Sequence, residues 1–125
     1  AAALLAMLLV VCSPDSADAY SPKVVQASMG AFLRVKIWEM PLEDLLEKAS
    51  DVPVLGAVLH GENIFQTAWP PNGVLIIGNE GRGISVAAMA RLTHRLTIPR
   101  SPSGGAESLN AAVAAGILAA ILRNQ

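Results

Sequence analysis

The segment Val74–Ser85, VLIIGNEGRGIS, decides the fold class that this sequence predicts. Its first four residues are all apolar, and such a run is typical of a strand that is buried on both faces of a parallel sheet. The run leads into a glycine-rich loop, Gly78–Gly83, and then into a predicted helix that begins at Ile84 or Ser85. A strand, a loop and a helix in this order place the loop at the carboxyl end of the strand, where open α/β sheets bind small molecules. Glycine lets a ligand approach the backbone closely because it has no Cβ.

This loop matches neither of the common nucleotide-binding loops. It lacks the G-x-x-x-x-G-K-[ST] pattern of the P-loop, and its glycine spacing differs from G-x-G-x-x-G. The segment by itself therefore predicts a ligand site without identifying the ligand.

The composition limits the class of protein. The chain has 125 residues, enough for one domain with one hydrophobic core, and its 53% hydrophobic and 15% charged content excludes a disordered tail. With a formal net charge of -1, the chain needs a local basic patch to bind nucleic acid. The single cysteine, Cys12, excludes an internal disulfide and favours a reducing, cytoplasmic compartment. One cysteine and two histidines provide no zinc-ligand spacing, so we expect no metal.

The N-terminal segment Ala1–Cys12 is apolar throughout but too short to span a bilayer as a helix, so we expect no membrane partner. It resembles the apolar region of a secretory signal, with Ala17–Ala19 as a cleavage-like site. Because it starts without Met or a basic region, we favour a chain that begins inside a domain. On that hypothesis Ala1–Met7 is the end of a helix and Leu8–Cys12 is a buried strand.

Strand and helix patterns alternate along the chain, which predicts an α/β fold with a mainly parallel sheet of about five strands and helices on both faces. The predicted strands are Leu8–Cys12, Phe32–Trp38, Val52–Leu59, Val74–Ile77 and Arg95–Ile98. The predicted helices are Pro22–Met29, Pro41–Ala49, one from Ile84 or Ser85 to Arg91, and Ser108–Arg123, and His60–Pro71 is a predicted loop.

The last predicted helix, Ser108–Arg123, carries two apolar stripes instead of one. A helix that is apolar on every side is expected to be buried on every side. Ala112, Gly116 and Ala120 recur at every fourth position, which allows another helix to approach closely. The helix is therefore either sunk in its own sheet or in contact with a partner subunit.

Two stretches together resemble a known family. VLIIGNEGRGIS, and then LTIP (Leu96–Pro99) followed by ESLNAAVAAGIL (Glu107–Leu118), resemble the second and third motifs of the SpoU family. These are S-adenosylmethionine-dependent RNA ribose 2′-O-methyltransferases of the SPOUT superfamily. The segment Ser13–Ala31, SPDSADAYSPKVVQASMGA, is similar to the family's connection between motifs one and two. The resemblance covers nearly the whole chain, so we expect residues 1–125 to form one SpoU-type domain.

The resemblance implies a trefoil knot in the C-terminal part of the domain, although knots are almost absent from other folds. In the family the methyl donor, S-adenosylmethionine, lies bent among the knotted loops, and subunits pair through the C-terminal helix. The resemblance therefore implies a homodimer and a donor site made of backbone groups and an apolar wall. The implied donor-binding residues are Gly78, Asn79, Gly81, Ile98, Pro99 and Leu109.

The implied reaction is attack of a ribose 2′-hydroxyl on the donor's methyl group, which requires positioning and proton removal but no metal. In the family an arginine of the first motif is the main candidate for proton removal. That motif would precede Ala1, so we expect residues 1–125 to lack it. Three polar residues match positions in motifs two and three and are candidate catalytic residues: Glu80, Ser108 and Asn110. Arg82 and Arg100 lie on the motif loops and are candidates for contact with RNA phosphates.

Each candidate also has a structural explanation. Glu80 can stabilise a helix N-terminus, Ser108 can be an N-cap, and exposed arginines are commonly just solvated. This explanation is weaker for Asn110, because an unpaired amide in a buried helix is costly. The loop Arg100–Glu107 is longer than is usual in the family, which leaves the placement of Ser108 and Asn110 open.

Two functional hypotheses follow. The first is an S-adenosylmethionine-dependent RNA ribose 2′-O-methyltransferase that acts on tRNA or rRNA. The second is a non-catalytic relative that binds RNA, the donor or a partner subunit. An exported small protein is a distant third, because both motifs oppose it. Trp38 and Trp69 could stack on bases, but packing is the favoured role for both.

Overall fold

The computed structural model describes residues 9–16, 20–27, 36–79, 81–102 and 110–123. The strands are β1 (Leu9–Cys12), β2 (Lys36–Glu39), β3 (Val54–Asn63), β4 (Val74–Ile76) and β5 (His94–Thr97). The helices are α1 (Pro22–Ala27), α2 (Leu42–Lys48), α3 (Val86–Met89) and α4 (Ala111–Arg123). The predicted alternation of strands and helices is confirmed, while the predicted helix Ala1–Met7 lies outside the described residues. Among the described helices, none is long and apolar enough to cross a membrane.

Every strand pairing in the described part of the chain is parallel. β1 pairs with β2 in one sheet, and β3 lies between β4 and β5 in a second sheet. The predicted parallel α/β architecture is therefore confirmed, although the described strands form two sheets instead of one. The path from β5 to α4 runs through residues 103–109, which lie outside the described residues, so the trefoil knot stays a prediction.

Helices cover both faces of the three-stranded sheet, as the sequence predicts. Neighbouring residues of a strand face opposite sides of a sheet, and the two faces of β3 lead to two separate cores. On one face, Leu55 packs in a cluster with Leu118 of α4. On the other face, Val54 packs in a cluster with Leu46 of α2 and Ala88 of α3. This double burial explains why the strand sequences are apolar runs without alternation.

The central strand is longer than the sequence predicts. A loop is predicted over His60–Pro71, but β3 continues to Asn63. A bulge accounts for the difference, because Leu96 of β5 pairs first with Ala57 and again with Glu62. The residues between these two pairings leave the ladder, and the apolar run ends there, because His60 and Gly61 follow Leu59, so the predicted strand stops at Leu59.

The bulged part of β3 lies in close contact with β5. A Cβ added to Gly61 would lie 2.7 Å from the carbonyl oxygen of Arg95, so glycine is required where the returning chain meets β5. Before the bulge, the Thr97 hydroxyl donates to the carbonyl oxygen of Val58 at 2.9 Å. The bulge is thus held against β5 at both ends.

Trp69 is part of the core. It is only 5% exposed and packs with Ile64 and Leu96, and its Nε1 donates to the carbonyl oxygen of Ile64 at 3.1 Å. Its ring meets that of His94 edge to face, with centroids 6.1 Å apart. Packing, the favoured role for this tryptophan, is confirmed.

Helix α4 is buried on one side only. Leu118 and Ala119 are buried, whereas Val113 is 51% exposed, and a Cβ added to Gly116 meets no described atom within 4 Å. The expectation of burial on every side is therefore wrong for the single chain, because the sheet covers only one of the two stripes. The helix begins at Ala111, later than predicted.

Candidate active site

The loop that follows β4 is closed by Asn79. The backbone N–H of Asn79 donates to the carbonyl oxygen of Gly83 at 3.1 Å, and the N–H of Gly83 donates back to the carbonyl oxygen of Asn79 at 2.7 Å. The side-chain Oδ1 of Asn79 accepts from the backbone N–H groups of Gly81 at 2.8 Å and Arg82 at 3.2 Å. The loop is consequently a preformed ring, and the oxygen of the Asn79 side chain is used to build it.

Gly78 is required by this ring. A Cβ added to Gly78 would lie 2.5 Å from the carbonyl carbon of Gly83 and 2.7 Å from the amide nitrogen of Ile84. Gly83 has a φ of 67°, in the left-handed region that favours glycine. From the sequence, we expect these glycines to allow a ligand to approach the backbone. The structure shows that Gly78 is needed for another reason, because a side chain there would prevent the loop from closing on itself.

The helix after the loop begins where the sequence predicts. Ser85 has extended backbone angles, and its side chain accepts a hydrogen bond from the N–H of Ala88 at 3.3 Å. Ser85 is therefore the N-cap of α3, and the ring closed between Asn79 and Gly83 lies within the short connection between β4 and this cap.

A second loop meets this ring from the other sheet. Nη2 of Arg82 lies 3.6 Å from Oδ2 of Asp15, which follows β1. Both side chains are well exposed, at 76% and 64%, so the ion pair contributes little to stability. Its significance is geometric, because it shows that the carboxyl ends of β1 and β4 adjoin. Asp15 is not among the residues predicted for the site, although it lies in the polar stretch directly after a predicted strand.

The surroundings of Asp15 favour the charged form of its carboxyl group. Its pKa lies below its usual value, chiefly because the Ser13 hydroxyl donates to it and, to a lesser extent, because of a backbone hydrogen bond and the charge of Arg82. A depressed pKa in the folded state means that the stabilising effect of the carboxylate is present above the unfolded pKa. This effect is lost as the pH falls through the folded pKa.

We expect Ser13→Ala to raise the pKa of Asp15 by more than Arg82→Ala does, because the hydroxyl hydrogen bond is the larger cause and the arginine is solvated. Carboxyl-carbon NMR titrations of the wild-type chain and both variants measure this directly. The opposite order would show that the ion pair dominates the environment of Asp15.

The predicted donor-binding positions that the structure describes lie on two loops at one edge of the three-stranded sheet. Because β3, β4 and β5 are parallel, the loops that follow them leave from the same edge, with the end of β3 in the middle. Ile77, at the end of β4, and Ile98, at the end of β5, are both partly buried against the same core cluster. The loop residues are Gly78, Asn79, Gly81 and Arg82 on one side and Ile98, Pro99 and Arg100 on the other.

Asn110 is placed differently from the expectation. It is exposed, and its Oδ1 accepts from the N–H groups of Ala112 at 2.9 Å and Val113 at 3.4 Å. It therefore caps α4, and the expectation of an amide inside a buried helix is wrong. The other polar candidates, Glu80 and Ser108, and the donor-wall residue Leu109 lie outside the described residues.

Within the described ranges, no group of three His, Cys, Asp or Glu side chains is arranged to hold a metal ion. The described residues thus form an α/β protein in which a closed glycine ring and a second loop with an exposed arginine leave the carboxyl edge of a parallel sheet, the edge at which open α/β sheets commonly bind ligands.

Comparison with known proteins identifies the family. Residues 1–120 match the model of the SpoU rRNA Methylase family, and the chain belongs to this family. It is 33% identical over 117 residues to RlmP, the 23S rRNA (guanosine(2553)-2′-O)-methyltransferase of Bacillus subtilis. This match covers 91% of the chain but 46% of RlmP. A 23S rRNA (uridine(2479)-2′-O)-methyltransferase of Streptomyces viridochromogenes is 34% identical over 115 residues, which cover 85% of the chain and 39% of that protein.

Solved structures agree with this assignment. A TrmH-family protein from Porphyromonas gingivalis superposes with a TM-score of 0.82 and 42% identity, over 93% of this chain and 48% of that one. AviRb from Streptomyces viridochromogenes, a SpoU methyltransferase in complex with AdoMet, superposes with a TM-score of 0.77 and 29% identity, over 92% and 46% of the two chains. The chain thus spans about half the length of each of these relatives, or less.

Proposed function

We propose that this chain is the donor-binding domain of an S-adenosylmethionine-dependent RNA ribose 2′-O-methyltransferase that acts on tRNA or rRNA. The observation that carries the proposal is the placement of the second-motif and third-motif loops at one edge of a parallel sheet, in a chain of the SpoU family. The RNA methyltransferases among its relatives, and the AdoMet complex of AviRb, support this assignment. A cytoplasmic location follows from the substrate.

The two loops suit the donor. Ile77 and Ile98 present a half-buried apolar wall for the adenine ring, and the ring after β4 holds the loop backbone in place, so that its carbonyl oxygens can accept a further hydrogen bond from the donor. An apolar pocket with a few fixed polar groups is typical of a cofactor site. We assign donor binding to Gly78, Asn79, Gly81, Ile98, Pro99 and Leu109.

Bound S-adenosylmethionine supplies an electrophilic methyl group, so the residues of this chain have to orient the ribose and assist removal of the proton from its 2′-hydroxyl. Arg82 and Arg100 lie exposed on the two flanking loops, where they would contact phosphates on either side of the nucleotide. The cap holds the Oδ1 of Asn110 towards α4, which fixes the direction of its NH₂ group, a donor for a ribose or phosphate oxygen. Glu80 and Ser108 complete the proposed polar set.

Calorimetric titration with S-adenosylmethionine and with its demethylated product tests this proposal. We expect both to bind, because the adenosine part is common to them. A folded chain that binds neither would rule out the donor-binding function.

A non-catalytic relative that binds RNA or donor is the second candidate. Two of the proposed functional residues already have structural roles, since Arg82 pairs with Asp15 and Asn110 caps α4. Transfer of labelled methyl groups from the donor to bulk RNA separates the candidates, because a purely binding protein yields no label.

We further propose that the chain forms a homodimer through the uncovered stripe of α4. Ala112, Val113 and Ala120 are exposed there, and Gly116 leaves room for a close helix. An exposed apolar stripe on a helix is a favourable contact for a second copy of the same helix.

Gly116→Leu is expected to dissociate this dimer while the single chain stays folded. The added side chain enters open space in the single chain, but it overpacks a close helix contact. Sedimentation velocity measures the change, and circular dichroism confirms the fold. A wild-type chain that is monomeric at all concentrations would contradict the dimer.

A further inference from the structure

The turn after β3 holds one aromatic side chain away from the core. The backbone N–H of Phe65 donates to Oδ1 of Asn63 at 2.9 Å, and the N–H of Gln66 donates to the carbonyl oxygen of Asn63 at 3.1 Å. Phe65 is 62% exposed. The chain contains two phenylalanines, and this one is placed at the surface on a hydrogen-bonded turn.

The residues around Phe65 keep it there. Ile64 is fully buried, its N–H donates to the carbonyl oxygen of Thr97 at 3.1 Å, and its own carbonyl oxygen accepts from Nε1 of Trp69. These bonds hold the backbone of the turn with Ile64 in the core and Phe65 at the surface. The fold therefore presents the ring of Phe65 to solvent.

The position of this ring relates it to the proposed site. The turn follows the central strand β3, and the loops that hold the donor in the proposed function follow β4 and β5 on either side. The bond between Ile64 and Thr97 places the turn beside the end of β5, directly before Ile98 and close in sequence to Arg100.

The chemistry of the surroundings favours a nucleobase over a protein partner. His60, Gly61, Glu62 and Gln66, which precede or follow Phe65 along this strand and turn, are all exposed. Leu59, on the same strand, is also exposed, at 51%. Two such side chains fall well short of the broad area that a stable protein interface buries, whereas one aromatic ring is enough to stack one base.

We propose that Phe65 is the stacking platform for one unpaired base of the RNA substrate and positions the nucleotide at the donor site. The proposal rests on the proposed function and deepens it, because it requires RNA in which the bases near the modified ribose are unstacked. Phe65 is a positioning residue and makes no contact with the reacting atoms.

Phe65→Ala is expected to weaken the binding of a single-stranded oligoribonucleotide by about 5- to 150-fold, as measured by fluorescence anisotropy. Phe65→Leu should lose nearly as much RNA affinity as Phe65→Ala, because leucine keeps apolar area but has no π face. Phe65→Tyr keeps the π face and should bind the RNA about as tightly as the wild type does. The affinity for S-adenosylmethionine should stay unchanged in all three variants. Val86→Ala, which shortens another strongly exposed apolar side chain on α3, is the matched control and should bind RNA as the wild type does.

The salt dependence of binding separates stacking from phosphate contact. Phe65→Ala should leave the slope of log K against log salt unchanged, whereas Arg100→Ala should reduce its magnitude by about one. A direct signature comes from Phe65→Trp in a Trp38→Phe background, in which stacking on a base should quench the new fluorescence while buried Trp69 supplies a constant background.

Three outcomes would overturn the inference. In the first, the wild type binds donor and RNA but Phe65→Ala or Phe65→Leu binds RNA equally well, so stacking fails while the proposed function stands. In the second, Phe65→Ala changes the sedimentation of the chain, which makes the residue a protein contact. In the third, the folded wild type binds neither donor nor RNA, so the proposed function and the stacking platform both fail.

Discussion

Replacing Gly78 by valine is expected to abolish S-adenosylmethionine binding and to lower the free energy of unfolding by about 1–3 kcal/mol. The first atom of the new side chain would already lie 2.5 Å from the carbonyl carbon of Gly83, so the ring after β4 could not close. The affected neighbour is backbone, which cannot move aside as a flexible side chain can. Calorimetry with the donor and urea unfolding measure the two effects.

Gly81→Ala is the matched control for this prediction. It lies in the same loop, but the nearest atom to its added Cβ is Oδ1 of Asn79 at 3.4 Å, an ordinary contact. We expect this variant to keep its stability, so any loss of donor affinity in it would report a contact between Gly81 and the ligand and not a broken ring. If Gly78→Val lost the donor but unfolded at the same urea concentration as the wild type, the ring would tolerate the side chain. Approach of the ligand, the sequence-based explanation, would then be the correct one.

Residues 1–125, expressed by themselves, are expected to transfer methyl groups to bulk RNA about 10²–10⁴-fold more slowly than the same residues extended by a SpoU first motif. We propose that the arginine of that motif assists proton removal, and its predicted place is before Ala1. The donor affinity of the two polypeptides should be similar, since the donor loops lie within residues 1–125. Labelled methyl transfer and calorimetry measure the two quantities separately.

The same extension with glutamine in place of its arginine is the control, and it should transfer no faster than residues 1–125 alone. Loss of donor binding by the shorter polypeptide would indicate poor folding instead of missing chemistry. Equal transfer rates with and without the extension would contradict the arginine argument. The proton acceptor would then be sought first at Glu80, by Glu80→Gln.

The site was predictable where it depends on consecutive residues. The run VLII and the glycines after it predicted β4 and its loop, and Ser85 proved to be the cap of the following helix. LTIP likewise predicted β5. Such signals are visible in a sequence because strand burial, turns and caps each follow from the chemistry of a few neighbouring residues.

The roles of single side chains were less predictable. The sequence assigned Asn79 and Asn110 to ligands or catalysis, but the structure uses the side-chain oxygen of each one to bind backbone N–H groups. Both uses are local, yet they depend on the loop conformation, which the residue types alone do not specify. The same asparagine fits a cap, a turn or a ligand contact.

The sequence by itself determined the parallel α/β class, the order of strands and helices and the two loops that follow β4 and β5. Only the tertiary structure decided the continuation of β3 past its bulge, the meeting of Asp15 with Arg82 and the outward position of Phe65. The physical reason is the range of the interactions. Hydrophobic periodicity is a property of consecutive residues. A bulge, a contact between two loops and the surface position of the Phe65 side chain arise instead from contacts between segments that are far apart in the chain, such as β3 and β5.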